Sequence, residues 1–195
     1  MKRLKIHVVT ALICLLATNV YAADTYIIDP VHSSAGFAVR HMMLSTVKGN
    51  FREFSGQILF DEQDIKKSSV NVVIKTASIN TGNERRDGDL RSVNFFDAAS
   101  YPEITFKSSR IEERGGALFC VGNLTMRGVT HEVAISFSYI GKVKDPMGNT
   151  RIGFEGSLNL NRQDYGISYG KTMDNGGLVV GNEVAISLTV EATKK

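Results

Sequence analysis

Three neighbouring polar residues near the start of the chain have the side chains of a hydrolytic triad. Asp29, His32 and Ser33 supply a carboxylate, an imidazole and a hydroxyl. Such a triad works only when the three groups converge through hydrogen bonds. Neighbours on an extended strand instead point alternately to opposite faces. The spacing therefore argues against nucleophilic catalysis, and we predict that the protein is not an enzyme.

The other residues with metal or thiol chemistry are scattered. His32, His41 and His131 show no close ligand spacing, and we expect no cysteine or carboxylate cluster to join them. Each histidine is better explained by a hydrogen bond to the backbone near a strand end. We therefore predict no metal and no cofactor other than a bound ligand.

The N-terminus has the pattern of an export signal. Lys2, Arg3 and Lys5 precede an apolar stretch over residues 8–17, and Val20-Tyr21-Ala22 offers small residues for cleavage. The apolar stretch is shorter than the roughly 20 residues of a membrane-spanning helix. We predict a cleaved signal peptide over residues 1–22, a single domain over residues 23–195 and no stable membrane span.

Loss of the signal changes the charge and the cysteine count. The whole chain carries 23 basic and 20 acidic residues, and cleavage removes three of the basic ones and none of the acidic ones. The remaining chain is formally neutral, so nucleic acid is an improbable partner. Cys14 lies in the signal, and Cys120 alone remains, which excludes an intramolecular disulfide.

Apolar and polar residues alternate with a period of two along much of the chain. Val70, Val72 and Ile74 share one face, and the same pattern recurs over residues 133–139, 154–160 and 184–190. We predict an all-β antiparallel protein of about eight to ten strands, about eight of which would form a barrel, with a short helical segment near residues 83–94. Phe95 and Phe96 are expected to pack that segment against the sheet. The alternation alone leaves a sandwich and a barrel both open.

Motifs spread over the chain resemble those of the YceI family of periplasmic proteins. The matching segments are Asp29-Pro30-Val31-His32-Ser33 continuing through Met42, Gly49-Asn50-Phe51 with Phe54 and Gly56, residues 86–97, Tyr101 to Phe106, Gly122 to Thr130, and Arg162 to Ile167. The chain departs from the family where His131-Glu132 replaces a common Lys-Pro and in lacking tryptophan. These departures leave the identity of any ligand open.

The resemblance implies a single lipocalin-like antiparallel barrel whose apolar interior holds a polyisoprenoid chain. We expect the cavity to be lined by apolar residues of the inward faces: Phe37, Val39, Phe51, Phe54, Phe60, Val72, Ile74, Phe95, Ile104, Phe106, Leu124, Ile135, Phe137, Phe154, Leu158 and Ile186. For any one aromatic residue, ordinary core packing is an equally good explanation.

Three cationic residues are candidates for the cavity rim. Arg40, His41 and Arg91 would meet a pyrophosphate or quinone head group there, since arginine offers a planar fork of donors to phosphate oxygens. The alternative is a structural salt bridge with Asp87, Asp89 or Asp97.

These features together predict a periplasmic carrier that binds an isoprenoid lipid, either a polyprenyl pyrophosphate or a prenyl quinone, for transport or storage. A filled barrel that binds an envelope partner and a hydrolase of lipid head groups are the alternatives. A homodimer is compatible with the sequence.

Overall fold

The computed structural model describes residues 23–170, 173–174 and 176–195, so the predicted signal peptide lies outside the described residues. Within them the chain forms eleven strands and one α-helix. The strands are β1 (Asp24–Ile28), β2 (Ser34–His41), β3 (Ser45–Phe51), β4 (Phe54–Phe60), β5 (Ser69–Lys75), β6 (Ile79–Asn80), β7 (Glu103–Arg114), β8 (Ala117–Met126), β9 (Val129–Lys144), β10 (Thr150–Asn161) and β11 (Val180–Lys194). Helix α1 spans Glu84–Arg91, and 3-10 turns lie at Ile65–Lys67, Thr76–Ser78 and Arg162–Tyr165.

Eight of the strands form a closed ring. The hydrogen-bonded order is β1-β4-β5-β7-β8-β9-β10-β11, and β11 pairs with β1 to complete it. All the strand pairs are antiparallel, with Ile28 opposite Ala192 where the ring closes. The predicted lipocalin-like barrel of about eight strands is confirmed, and closure decides between the barrel and the sandwich.

The remaining three strands extend the sheet beyond the ring. β11 is 15 residues long, and the part that does not reach β1 pairs with β2, from Thr189 opposite Ser34 to Val180 opposite His41. β3 and β6 follow β2 in order. One long strand thus serves both the ring and the extension.

The predicted helical segment is present and is fixed by a buried carboxylate. Asn83 caps α1 by accepting a hydrogen bond from the backbone N–H of Arg86. Asp87 is fully buried and accepts hydrogen bonds from the Thr81 backbone N–H at 2.9 Å and from the Thr81 hydroxyl. Phe95 is buried, and Phe96 meets the ring of Phe51 edge-on at 5.8 Å. The helix therefore packs against the barrel through the residues that follow it.

Two clusters of buried side chains lie in different parts of the barrel. One comprises Tyr26, Ile28, Ile58, Phe60, Ile152 and Ala192. The other, next to α1, comprises Phe95, Ile104, Met126, Tyr165 and Ile167. Members of both clusters also face the interior space, which is the region where a ligand site can form.

An arginine with three carboxylate partners ties together the strand ends near the first cluster. Arg151 contacts Asp29 Oδ2 and Asp145 Oδ2 at 2.9 Å each, and Glu191 Oε1 at 2.5 Å. Hydrogen bonds from Arg151 and Asn149 lower the pKa of Asp145 from 3.8 to about 2. His32 and Arg151 likewise lower the pKa of Asp29. The arginine connects the start of β10 with β11 and with the β1–β2 connection.

We expect Asp145→Asn to destabilise the protein near neutral pH but much less in acid. A carboxyl with a lowered folded-state pKa contributes stability above its unfolded pKa, and that contribution disappears as pH falls from about 4 through about 2. Urea unfolding of both proteins at pH 7 and pH 2.5 measures the difference. Asp89→Asn, which changes an exposed carboxyl on α1, is the matched control. A difference in midpoint that stays constant with pH would contradict the role of Asp145.

Candidate functional site

Two adjoining, partly open cavities with almost entirely apolar walls lie on the inward face of the sheet. Their volumes, counted as space open to the centre of a water molecule, are about 210 Å³ for the larger chamber and about 130 Å³ for the smaller one. One water needs about 10–15 Å³ by this measure. Six residues border both chambers: Ile28, Val72, Phe106, Ile135, Leu188 and Val190.

All sixteen residues predicted to line a cavity border one chamber or both. The larger chamber is bordered by Phe37, Val39, Phe51, Phe54, Val72, Ile74, Phe95, Ile104, Phe106, Leu124, Ile135, Leu158 and Ile186. Phe60, Phe137 and Phe154 border the smaller chamber. Their positions follow from the period-two alternation, and their contact with a ligand stays a prediction.

Side chains do not fill the interior of the barrel. Along β11 the outward residues Ala185 and Ser187 are exposed, as expected. The inward residues Val184, Ile186 and Leu188 are only half-buried. An inward apolar side chain keeps accessible surface when it borders a void, since a packed core would cover it. The chambers are therefore volume that the inward side chains of the barrel do not fill.

Arg162 is the cavity residue that sequence analysis missed. It borders the larger chamber and is only 4% exposed. The signal was present, because Leu158 and Leu160 point inward along β10 and the same alternation places Arg162 on that side. The other residues that border the larger chamber and were not predicted are Ile28, Ser34, Ala35, Gly36, Leu90, Phe96, Met126, Leu160, Ile167, Val180, Val184, Leu188 and Val190.

The guanidinium of Arg162 is held by neutral acceptors. Nε donates to the Gly181 carbonyl at 2.9 Å, Nη1 to the Ile167 carbonyl at 2.6 Å, and Nη2 to the Val180 carbonyl at 3.2 Å and to Asn182 Oδ1 at 3.0 Å. Burial lowers its pKa. In the described part of the chain, no carboxylate forms an ion pair with it. Among the described residues, these four bonds leave one of the five guanidinium N–H groups for another partner.

The three predicted rim cations lie outside the walls of both chambers. Arg91 donates from Nε to the Ala77 carbonyl at 2.8 Å and from Nη2 to the Ile79 carbonyl at 3.0 Å. Arg40 is exposed and donates to Thr46 Oγ1 at 3.2 Å. His41 ends β2 opposite Val180, which does border the larger chamber. Their contact with a head group stays a prediction.

The residues of the apparent triad have structural partners. His32 Nδ1 lies 2.9 Å from Asp29 Oδ2, whereas Ser33 Oγ donates to the Glu191 carbonyl and accepts from the Glu191 N–H. The expectation that no carboxylates would join the histidines is wrong for His32, because Asp29 and Glu191 both lie beside it. Arg151 already forms an ion pair with each of these carboxylates. The strand pairing of β1 and β11 brought these distant residues together.

The remaining candidates with side-chain chemistry are also held in place. His131 Nε2 is 3.0 Å from the Asp164 carbonyl, as expected of a histidine bound to backbone. Cys120 borders the smaller chamber, and burial raises the pKa of its thiol to about 11. A thiol with so high a pKa is a poor nucleophile at neutral pH.

The sequence and the fold of this chain are both similar to those of known proteins. A protein of the UPF0312 group from Vibrio parahaemolyticus is 41% identical over 155 residues, which is 78% of this chain and 82% of that protein. The crystal structure of BcnA from Burkholderia cenocepacia superposes with a TM-score of 0.75 at 26% identity, covering 85% of this chain and 99% of that one. A polyisoprenoid binding domain from Saccharophagus degradans shares the fold, with a TM-score of 0.66 at 17% identity and coverage of 90% and 100%.

The family model named YceI-like domain matches residues 26–192. That range runs from β1 through β11 and includes every residue that borders either chamber. The match confirms the resemblance that the motifs indicated, and the chain belongs to the YceI family.

Proposed function

We propose that the protein is a binding protein that holds an isoprenoid lipid inside the barrel and shields it from water. The observation that carries this proposal is the pair of adjoining apolar chambers, which together extend from the first buried cluster to the residues beside α1. A chain molecule fits two chambers placed next to each other better than a compact solute does. Phe106 and Ile135 border both chambers, so a bound chain would pass them where it runs from one chamber into the other.

The energetics of such binding need few polar contacts. Each methylene moved from water to an apolar site gains about 0.8 kcal/mol. A prenyl chain of several units would therefore be held firmly even after the cost of ordering it is subtracted. The cavity offers few polar groups for hydrogen bonds, which suits a hydrocarbon chain and suits a sugar or peptide poorly.

The comparisons add support of the same kind. A solved domain of the same fold is named for binding a polyisoprenoid. We extend that ligand class to this chain because the cavity has matching chemistry. We also propose that the chain is exported to the periplasm after cleavage at residue 22 and acts there as a carrier without turnover. None of the helices in the described ranges is long and apolar enough to cross a membrane.

The polar end of the ligand is best placed near Arg162. Among the described residues it is the one cation that borders a chamber, and burial without a carboxylate partner among those residues makes an anionic guest favourable there. Its remaining N–H group would donate to a phosphate oxygen. The isoprenoid tail would then extend from Arg162 toward Phe106 and the smaller chamber.

We expect Phe106→Asp to abolish prenyl-lipid binding, because it puts a charge where the chambers adjoin. Phe119→Asp on β8 is the matched control. Phe119 faces outward, with the guanidinium carbon of Arg114 5.2 Å from its ring centroid, so its replacement should leave binding intact. Equilibrium binding of a fluorescent prenyl ligand, with circular dichroism to verify folding, measures both. Full binding by a folded Phe106→Asp protein would contradict an interior site.

A second variant tests the same site without adding a charge. Ile135→Phe adds volume at the junction and should weaken binding of long prenyl chains more than that of short ones. Equal losses of affinity for both chain lengths, relative to the parent protein, would show that the ligand does not pass the junction.

We expect Arg162→Gln to weaken binding of a prenyl phosphate by about tenfold or more relative to the prenol, since hydrogen bonds to charged groups contribute about 1.5–3 kcal/mol. Arg91→Gln, which removes two bonds to backbone carbonyls outside the cavity, should affect both ligands equally. Isothermal titration with the two ligands distinguishes the residues. Equal losses for the two ligands with Arg162→Gln would remove its head-group role.

The cargo itself is identified by mass spectrometry of an organic extract of protein purified without detergent from its host. A stoichiometric prenyl lipid supports the proposal. Protein that yields no lipid and takes up none when polyprenyl phosphates are added would overturn it in favour of a partner-binding barrel.

A further inference from the structure

The turn between β2 and β3 exposes three consecutive apolar side chains. Met42, Met43 and Leu44 are 40%, 63% and 86% exposed. Apolar residues that are exposed singly need no explanation, but a run of three at a protruding tip marks an interaction site. We call Met42, Met43 and Leu44 the apolar tip.

The backbone of this turn is unfavourable for the residues it carries. Met42 and Met43 have φ values of 51° and 62°, and the Leu44 N–H donates to the His41 carbonyl at 3.0 Å. Positive φ at both central residues is the type I′ β-turn geometry, which normally takes Asn-Gly, and Leu44 completes a three-residue connection between His41 and Ser45. Methionine has no local advantage at either position. A strained conformation that persists suggests a function for the side chains it presents.

The tip stands next to the larger chamber. Val39 borders that chamber, and so does Val180, which pairs with His41 at the base of the turn. The Met42 N–H donates to the Val179 carbonyl at 2.9 Å, which holds the turn against the segment leading into β11. A lipid leaving the barrel at this end would emerge beside the tip.

The hairpin that carries the tip bears cations and no carboxylates. Residues 38–52 include Arg40, Lys48 and Arg52 and contain no aspartate or glutamate. The register Arg40↔Thr46 and Ala38↔Lys48 places Arg40 and Lys48 on the same outward face. In the described ranges neither forms an ion pair with a carboxylate, although twelve ion pairs occur elsewhere.

From these observations we propose that the hairpin docks the barrel on an anionic bilayer surface. The apolar tip inserts at the level of the head groups, and Arg40 and Lys48 face the phosphates around it. This combination of exposed apolar side chains and flanking cations is the chemistry by which peripheral proteins bind membranes. Docking is independent of which lipid the barrel holds, and it would place the larger chamber against the membrane for exchange of cargo.

The test is co-flotation with large unilamellar vesicles of phosphatidylcholine, alone or with one quarter phosphatidylglycerol. The protein is taken from the soluble fraction of expressing cells, with its N-terminus established by intact mass. We expect binding to the anionic vesicles at low salt. M42N/M43G should reduce it about tenfold or more, because two apolar side chains are lost. That variant supplies the residues the turn prefers, so it should fold at least as well as the parent.

Matched controls lie at the other end of the barrel. Met147→Ser removes a methionine that is 80% exposed in the turn before β10, and it should leave flotation unchanged. R40Q/K48Q should weaken binding to the vesicles that contain phosphatidylglycerol and should not affect binding to pure phosphatidylcholine vesicles. Lys144→Gln should leave binding to both kinds of vesicle unchanged. Flotation that is absent in the parent, or equal in the parent and M42N/M43G, would overturn the proposal.

Two further measurements separate this proposal from its alternatives. A parent dimer in sedimentation velocity that M42N/M43G abolishes, without vesicle binding, would assign the tip to a second copy of the chain instead. Binding of a prenyl ligand in vesicle-free solution should be the same in both proteins. Retained ligand binding without flotation would overturn docking alone, and flotation without ligand binding would overturn the proposed cargo alone.

Discussion

Closure of the barrel depends on β11, because this strand closes the ring by pairing with β10 along one edge and with β1 along the other. It pairs with β10 along eleven residues on one edge, and on the other edge with β1 near its end and with β2 near its start. The eight-stranded ring itself has no free edge, and the sheet ends instead at β6, in the extension beyond β2. Closure also defines an inside, where residues such as Phe60 and Ile104 belong both to a buried cluster and to a cavity wall. Arg151 reinforces the seam by joining Asp29 to Glu191.

The interior is a compromise between stability and space. The two buried clusters contain aromatic and branched side chains in close contact, such as Tyr26 edge-on to Phe60 at 6.2 Å. Unfilled volume inside a protein is destabilising because the surrounding atoms lose packing partners. A barrel that keeps two chambers despite this cost is consistent with a guest that restores those contacts. The proposed isoprenoid would fill the two chambers and make the van der Waals contacts that their wall atoms lack without a ligand.

Charge is distributed unequally along the barrel. Near the first cluster, Arg151 forms ion pairs with three carboxylates, so negative charge is in excess there. Near α1, Arg162 lies inside with neutral acceptors only, and Arg40 and Lys48 lie outside on the β2–β3 hairpin. The proposed head-group contact and the proposed membrane contact therefore lie toward the same end. A carrier that exchanges an amphiphile with a bilayer would need them near each other, so that the head group has a short path.

The sequence by itself determined which side chains face inward, because a strand alternates with a period of two whatever its neighbours are. That rule placed Phe37, Phe106 and Ile186 on the cavity wall and, carried one step further along β10, would have placed Arg162 there too. Tertiary structure alone decided that Asp29, Asp145 and Glu191 share Arg151, since pairing of distant strands brings them together. It also decided how much volume stays empty, because a void is the difference between the space the closed ring encloses and the side chains that fill it.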